Sequence, residues 1–525
     1  MLHFKDWVTT MHGNPDYPPG NSPLEQLPNE LLFRILDLLV PPHSTTVSGT
    51  KEWFMFDNLP CKSSLSSEIY YSNYLTASPN VTQPNSSLLP CLRVSHRMYD
   101  VALPLFYRDT KLVQETHATE GRNLQLLRGI DLNPSLAPLI RTLDLTEFLG
   151  SGCPSLIPQA IILLPRLRSL HMQLDELNQL NDQDIQKIFF GMSHLETLVI
   201  ENTRPKTHPG CLAHVLRSLE SVDPTTISPV HSFTCRSDSG PIQLWNSTNR
   251  VGFVDTDIFS TVLPRFPKLQ ALDLAYTSVD PKSLLSISSN ARLQFLRITN
   301  CQDSDTSTLA HFLATHPAVK SSLVAFDATC VRFSEQDTTL ILENLSPTLR
   351  SLNLSSSTMT TNHALPLQKL CRSLEELNVG YGLTMGDVEA VILGPYFDFD
   401  PAPIHRSVNG PENSKDAPQY ELVLGPMRDA IAACKLRRRL ASVFPISSRT
   451  NMKRSSLRYL NLSSMDEEEQ GRITNSVLLG EHSMPLKLIA VSNIMNEDCR
   501  VLQKLCEGSG WQDRWINGMS WVERS

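Results

Sequence analysis

The most regular feature of this chain is a spacing of large apolar residues that recurs over most of its length. From about residue 137, one apolar residue is followed by others three and five positions later, as in Leu349, Leu352 and Leu354. Successive triplets mostly begin about 24 to 30 residues apart, which is typical of stacked structural repeats. The triplets begin at Ile140, Leu167, Leu195, Val230, Leu269, Leu293, Leu323, Leu349, Leu374, Leu457 and Leu486.

Each triplet predicts a strand, and the stretch that follows it predicts a helix. The second and third apolar residues of a triplet alternate with polar ones, which is the period of a strand buried on one face. Between triplets, segments such as 182–189 and 305–313 begin with helix-capping residues and continue with helical spacing. Repetition of this pair predicts an α/β fold of parallel strands stacked as a solenoid, because one repeat cannot bury its apolar face alone.

These repeats resemble leucine-rich repeats over roughly residues 137–495. The resemblance implies a parallel sheet on the concave side and helices on the convex side. The Asn or Cys that the family carries after its strand is present only as Cys301. The gaps from 195 to 230, from 230 to 269 and from 374 to 457 are longer than the others. The longest contains a segment rich in Pro, Asn and Ser at about 395–455, which we interpret as an insertion.

A second pattern, from Leu27 to Leu39, predicts a short helix near the N terminus. Pro28 suits the first turn of a helix, and Glu30 lies favourably near the positive end of the helix dipole. A helix so short and so apolar is stable only when it packs against another element. Its apolar face is formed at helical spacing by Leu31, Leu32, Ile35, Leu36 and Leu39.

Together with the segment from Cys91 to Arg108, this helix resembles an F-box. The first helix of that family begins with Leu-Pro followed by Glu-Leu-Leu or a close variant, and residues 91–108 are similar to the second and third helices of fungal F-boxes. Met98 stands where the family usually has Trp or Phe, and residues 41–87 separate halves that are nearly contiguous in the family. The resemblance implies a three-helix domain that binds a Skp-family adaptor through Leu27, Pro28, Leu31, Leu32, Ile35, Leu36, Leu39, Leu92, Val94 and Met98.

These patterns predict the domain organisation. A flexible N-terminal segment (1–23) precedes an F-box (24–110) that is split by an insertion at about 41–87. A connector (111–136) leads to the leucine-rich-repeat solenoid (137–495), and a C-terminal cap (496–525) follows. The first insertion is interpreted either as a mobile loop or, because of its aromatic residues at 53–56, as part of the domain core. The basic cluster at 435–454 fits either a nuclear-import or anion-binding segment or a solvated helix face.

One face of the predicted sheet is a candidate surface for binding a target protein. Side chains alternate along a strand, so the residue four positions after each triplet start points away from the core. In three successive repeats this column reads Asp273, Arg297 and Asp327, which predicts a ladder of alternating charge that attracts a basic target. The aromatic residues expected to support binding are Phe295, Tyr276 and Tyr381. The alternative is that these positions are polar only because they face water.

Composition excludes several functional classes. A formal net charge of −8 over 525 residues argues against general binding to nucleic acid or membranes, and no apolar run is long enough to span a bilayer. The 11 Cys form no Cys-x-x-Cys pair, which favours reduced, mostly buried thiols in a cytoplasmic or nuclear protein without a secretory signal.

We find no phosphate-binding loop or catalytic motif. His208, Cys211 and His214 do not predict a zinc site, because Pro209 and Gly210 interrupt a helix there. An enzyme, a cofactor or a metal is therefore not expected.

The resemblance to an F-box followed by leucine-rich repeats implies a substrate-recognition subunit of an SCF-type cullin–RING ubiquitin ligase. In that role the F-box binds the Skp-family adaptor, and through it a cullin, while the repeats hold an unknown target protein. Such a subunit contributes proximity and no chemistry. Two alternatives remain: a repeat scaffold whose F-box serves assembly without degradation, and a repeat protein whose F-box is degenerate and binds no adaptor.

Overall fold

The computed structural model describes 303 of the 525 residues of the chain, and these residues divide into two compact units. The first unit holds the described residues up to 277 together with 286–291, and the second holds 279–285 and those from 292 onward. Residues 1–22, both predicted insertions and the basic cluster lie outside the described residues. The described ranges are 23–24, 26–39, 88–113, 129–147, 161, 163–202, 211–237, 257–275, 277, 279–299, 305–393, 456–479, 486–492, 506, 511–516 and 519–524.

The first unit begins with two helices. Helix α1 spans Asn29–Asp37, a 3₁₀ turn spans Cys91–Arg93, and helix α2 spans His96–Arg108. Ser95 caps α2, because its hydroxyl accepts a hydrogen bond from the backbone N–H of Met98 at 3.2 Å. Helix α2 continues through Pro104, so residues 91–108 form one turn and one helix. The three-helix F-box expected from the sequence is therefore not confirmed by the described residues.

Six parallel strands complete the first unit, and they pair in chain order. They are β1 (Asp109–Val113), β2 (Thr142–Glu147), β3 (Ser169–Gln173), β4 (Thr197–Asn202), β5 (Ser232–Ser237) and β6 (Ala271–Asp273). The helices between them are α3 (Leu174–Asn178), α4 (Asp182–Gln186), α5 (Cys211–Glu220) and α6 (Asp257–Val262), with a π-helical turn at Lys187–Gly191 and 3₁₀ turns at Ala137–Leu139 and Leu263–Arg265.

The second unit continues the same alternation of strand and helix. Its parallel strands, which pair in chain order, are β7 (Phe295–Arg297), β8 (Ala325–Asp327), β9 (Ser351–Asn353), β10 (Glu376–Asn378), β11 (Tyr459–Asn461) and β12 (Leu488–Ser492). The helices are α7 (Pro281–Leu284), α8 (Thr306–Thr315), α9 (Pro317–Lys320), α10 (Glu335–Asn344), α11 (Ala364–Leu370), α12 (Met385–Leu393) and α13 (Glu467–Gly471), with 3₁₀ turns at Thr361–His363, Arg472–Asn475 and Val477–Leu479.

The apolar triplets form the core of both units, as the sequence predicts. Leu349, Leu352 and Leu354 are all fully buried, and Leu352 pairs in register with Phe326 on one side and Leu377 on the other. Each such side chain contributes about 1.5–3 kcal/mol when it leaves water. The predicted α/β repeat architecture with parallel strands is therefore confirmed at this level.

Pairing at the two ends of the chain was not predicted by the repeat pattern. Strand β1 pairs with β2, although its sequence carries no triplet. At the other end, β14 (Met519–Arg524) pairs antiparallel with β12, and β13 (Trp511–Ile516) pairs with β14. Because an unpaired strand edge favours aggregation, this hairpin protects the last parallel strand.

Six of the twelve parallel strands carry Asp or Asn at the outward position four residues after the triplet start, and in five of them this side chain forms a local turn with the backbone. The side-chain Oδ1 accepts a hydrogen bond from the backbone N–H two residues later, which is an Asx turn. The accepting residues are Asp144, Asp273, Asp327, Asn353 and Asn461, with N–O distances of 2.9, 3.1, 3.1, 3.2 and 2.9 Å.

The backbone of neighbouring repeats approaches closely at Gly380. A Cβ atom at this position would lie 2.2 Å from the carbonyl oxygen of Ser357 and 2.9 Å from that of Leu354. Neither oxygen can move independently, because both belong to the backbone of the preceding repeat. Only glycine fits between β10 and the turn after β9.

Gly380→Ala is therefore expected to lower the free energy of unfolding by about 1–3 kcal/mol, as is usual when a packed interior is overfilled. Gly386→Ala is the matched control, because the nearest atom to its added Cβ is Thr384 Oγ1 at 3.7 Å and the residue lies in helix α12. That change should be neutral or slightly stabilising. Urea denaturation followed by circular dichroism compares the two variants, and equal midpoints would contradict the close approach.

Asp273→Ala is expected to destabilise the first unit by about 1–3 kcal/mol, because the N–H of Ala275 loses its acceptor in a buried place. Asp273→Asn keeps an oxygen in the same position and should lose less. Thermal unfolding of the two variants beside the wild type measures the difference. Identical behaviour of Ala and Asn would show that the Asx turn does not stabilise the strand end.

Candidate interaction surfaces

The two N-terminal helices share an apolar core of their own. The buried side chains are Leu32, Leu36, Leu88, Leu92, Met98, Val101, Ala102 and Leu105. Two of them come from α1 at positions four apart, so one stripe of this short helix is fixed against α2 and the turn before it. Four residues that the sequence assigned to the adaptor, namely Leu32, Leu36, Leu92 and Met98, lie in this core and present almost no surface to a partner.

Two arginines join α1 to α2 at opposite ends. Arg97, at the start of α2, donates from Nε to Asn29 Oδ1 at 2.9 Å and also hydrogen-bonds the carbonyl oxygen of Leu27. Arg108, at the end of α2, forms an ion pair with Asp37 at 2.7 Å. The N-terminal ends of α1 and α2 are therefore in contact, and so are their C-terminal ends. The two helices run in the same direction.

Another stripe of α1 remains exposed and is strongly apolar. Leu31 and Ile35 are 47% and 38% exposed, and Leu38 and Leu39 continue the stripe at 86% and 49%. These side chains lie one turn apart on the face beside the buried stripe. Soluble proteins rarely expose several large aliphatic side chains on one helix, and such patches mark interaction sites.

Of the remaining residues assigned to the adaptor, Leu27 and Pro28 precede α1 and Val94 precedes α2. Pro28 and Val94 are exposed and Leu27 is partly buried. Leu38 was not assigned from the sequence, although its spacing of seven from Leu31 places it on the same face. We call α1, the 3₁₀ turn at Cys91–Arg93 and α2 the helical module. Within its described residues, we call Leu31, Ile35, Leu38 and Leu39 the apolar stripe.

The predicted charge ladder on the sheet is only partly an exposed surface. Arg297 Nε and Asp327 Oδ2 are 3.2 Å apart across β7 and β8, and both side chains are mostly buried. Asp273, in the other unit, is 3% exposed and has the Asx-turn role described above. Phe295 is buried as well, so Asp273 and Phe295, which the sequence assigned to target binding, present almost no surface to a partner.

The burial of these outward positions has a simple cause. Parallel strands lie about 4.8 Å apart, so residues at the same register cover one another's flanks. Asp327, for example, lies between Arg297 and Asn353 in register, and its Oδ1 also accepts the hydroxyl of Thr329 at 2.7 Å. A charge reversal at Asp273 would therefore disturb the fold and could not test recognition.

Of the two tyrosines assigned to target binding, Tyr276 lies outside the described residues. Tyr381 follows β10 and is 40% exposed, and its hydroxyl lies 3.0 Å from Thr358 Oγ1. Among the described residues of the predicted target surface, Tyr381 alone combines a large aromatic ring with substantial solvent exposure.

The polar groups within the described residues do not assemble into a reactive site. No three metal-ligating side chains gather there, and His214 lies 3.0 Å from the carbonyl oxygen of Leu180. Burial raises the pKa of the Cys235 and Cys371 thiols to about 12, so these thiols are unreactive at neutral pH. None of the helices described here has the length and apolarity that crossing a bilayer requires.

No family model matches the chain, and no curated protein matches it. Among solved structures, the crystal structure of the Rad7 and Elc1 complex in yeast is similar, with 19% identity and a TM-score of 0.31 over 50% of this chain and 69% of that one. The leucine-rich repeat-containing protein LegL7 from Legionella pneumophila is similar at 14% identity and a TM-score of 0.31, over 54% of this chain and 86% of that one. These similarities are too slight to assign the chain to a family.

Proposed function

We propose that this chain is a substrate-recognition subunit of an SCF-type ubiquitin ligase. The helical module binds a Skp-family adaptor, which connects the chain to a cullin, and the repeats hold a target protein. The chain itself performs no chemistry in this role: it raises the local concentration of the target near a ubiquitin-charged enzyme.

The observation that supports adaptor binding is the exposed apolar stripe of α1. It lies on a helix that is already fastened to α2 by eight core side chains and two arginines, so the stripe is not needed for the module's own core. The same helix carries the Leu-Pro and Glu-Leu-Leu residues on which the F-box resemblance rests. A second apolar face on a fixed helix suits docking against an apolar groove of a partner.

A scaffold that does not lead to degradation is the second candidate, and one observation favours it. Residues 91–108 form a turn and one helix, where the family resemblance implies two helices. A module that departs from the family at this point can lose adaptor binding while the repeats continue to bind partners. Following the level of partner proteins with and without proteasome inhibition separates the two functions, since only a ligase subunit changes partner turnover.

The variant Leu31→Ala/Ile35→Ala tests adaptor binding. Full burial of such a side chain contributes about 1.5–3 kcal/mol, and because each is already about half buried, the expected loss is about half of that per residue. The two together should weaken the adaptor complex by about 10- to 100-fold. Titration of purified Skp-family adaptor against the full-length chain, by calorimetry, measures this change.

The matched control is Leu132→Ala/Leu365→Ala, which removes two leucines that are 74% and 60% exposed elsewhere in the chain. Its affinity for the adaptor should equal that of the wild type, and both double variants should keep the wild-type unfolding temperature. Undiminished binding by a folded Leu31→Ala/Ile35→Ala variant would remove the apolar stripe from the interface. Failure of the wild type to bind would favour the scaffold function.

A further inference from the structure

In the second unit, three basic residues from neighbouring strands stand side by side at the edge where the parallel strands begin. The backbone N–H of Lys487 donates to the carbonyl oxygen of Arg458 at 2.8 Å, and that of Arg524 donates to the carbonyl oxygen of Lys487 at 2.8 Å. Neighbouring strands lie about 4.8 Å apart, so the three residues form a row about 10 Å long. We call Arg458, Lys487 and Arg524 the basic edge.

Two charges of this row, on Arg458 and Lys487, have no acidic partner among the described residues. Both side chains are exposed, and neither forms an ion pair there. The next strand presents Glu375, but its carboxylate is paired with Arg350 at 2.7 Å. Among the described acids at this edge Glu523 remains, and one carboxylate balances at most one of the three basic charges. The basic edge therefore stays positive within a chain whose formal net charge is −8.

Two contacts hold the ends of this region in place. The Arg524 guanidinium carbon lies 5.9 Å from the centre of the Trp511 ring, which is buried, so a cation–π contact restricts this side chain. On the side towards β10, the hydroxyl of Ser456 donates a hydrogen bond to the backbone carbonyl oxygen of Arg372. This contact brings another exposed basic residue to the same edge. Charges that are ordered before binding lose less entropy when a partner arrives.

We propose that the basic edge is a docking surface for an extended acidic segment of a partner protein. Alternate residues of an extended chain lie about 6.6 Å apart on one side, so three alternate carboxylates span about 13 Å, within reach of the three long basic side chains of the row. Arginine and lysine bind carboxylates through charge-assisted hydrogen bonds. A long polyanion such as nucleic acid fits less well, because it extends beyond this short row onto a protein of net negative charge. The inference concerns the second unit alone and does not rest on adaptor binding by the helical module.

The test uses the full-length chain and a fluorescein-labelled octapeptide of alternating Glu and Ser, with binding followed by fluorescence polarisation. Arg458→Glu/Lys487→Glu is expected to weaken peptide binding by about tenfold or more, and the loss should shrink as salt rises, because screening weakens exposed charges. Both positions are exposed, so the unfolding temperature should stay that of the wild type.

The control is Arg166→Glu/Arg168→Glu, which makes the same change of charge at two exposed arginines of the first unit. Because Arg168 forms an exposed ion pair with Glu196 at 3.5 Å, the unfolding temperature of this control is measured as well. Retained peptide binding by this control, together with loss in the Arg458→Glu/Lys487→Glu variant, supports the assignment. Equal loss in both variants would show that only the overall charge matters and would overturn it. It would also be overturned if the peptide does not bind the wild type, or if an eight-nucleotide single-stranded DNA or phosphatidylserine vesicles bind the same edge more tightly than the peptide.

Discussion

The stacking of one apolar side chain on its equivalents in the neighbouring strands is the interaction on which this structure depends. Leu352 lies between Phe326 and Leu377, and the same register continues through Leu460 and Ile489. Each strand is only three to six residues long in the second unit, so it has little stability by itself and depends on its neighbours. Once these positions are fixed, the directions of all other side chains on the strand are fixed as well.

That constraint explains which parts of the fold could be predicted from the sequence. The spacing of Leu349, Leu352 and Leu354 specifies a buried strand, and within each unit the repeats found by this spacing are strands that pair in register with their neighbours. Strand β1 and the C-terminal hairpin carry no such spacing. They could not be predicted from it, because strand pairing uses backbone groups that any sequence possesses. Residues 91–108, where the resemblance implies two helices, form a 3₁₀ turn and one helix that continues through Pro104.

The candidate surfaces were harder to predict, for a different physical reason. Alternation along a strand gives the direction of Asp273, but not how far its neighbours cover it or that Ala275 needs its oxygen. On α1, helical spacing identifies one broad apolar face and cannot divide it. The structure divides it into Leu32 and Leu36, which hold the module together, and Leu31 and Ile35, which do not. Whether an apolar residue serves folding or binding is decided by what packs against it, and that information is not local in sequence.

The common direction of α1 and α2 has a consequence for how this chain can vary. Two helices that run the same way cannot be joined by a tight turn, so a pair of this kind needs a connection longer than a hairpin loop. Further lengthening of a long connection is inexpensive, since each doubling of a flexible connection costs only about 0.6 kcal/mol in closure entropy. The stretch between residues 40 and 87 is thus placed where a chain can gain or lose many residues while the contacts of Arg97 and Arg108 stay unchanged. New sequence can be tried there at little risk to the contacts that hold the two helices together.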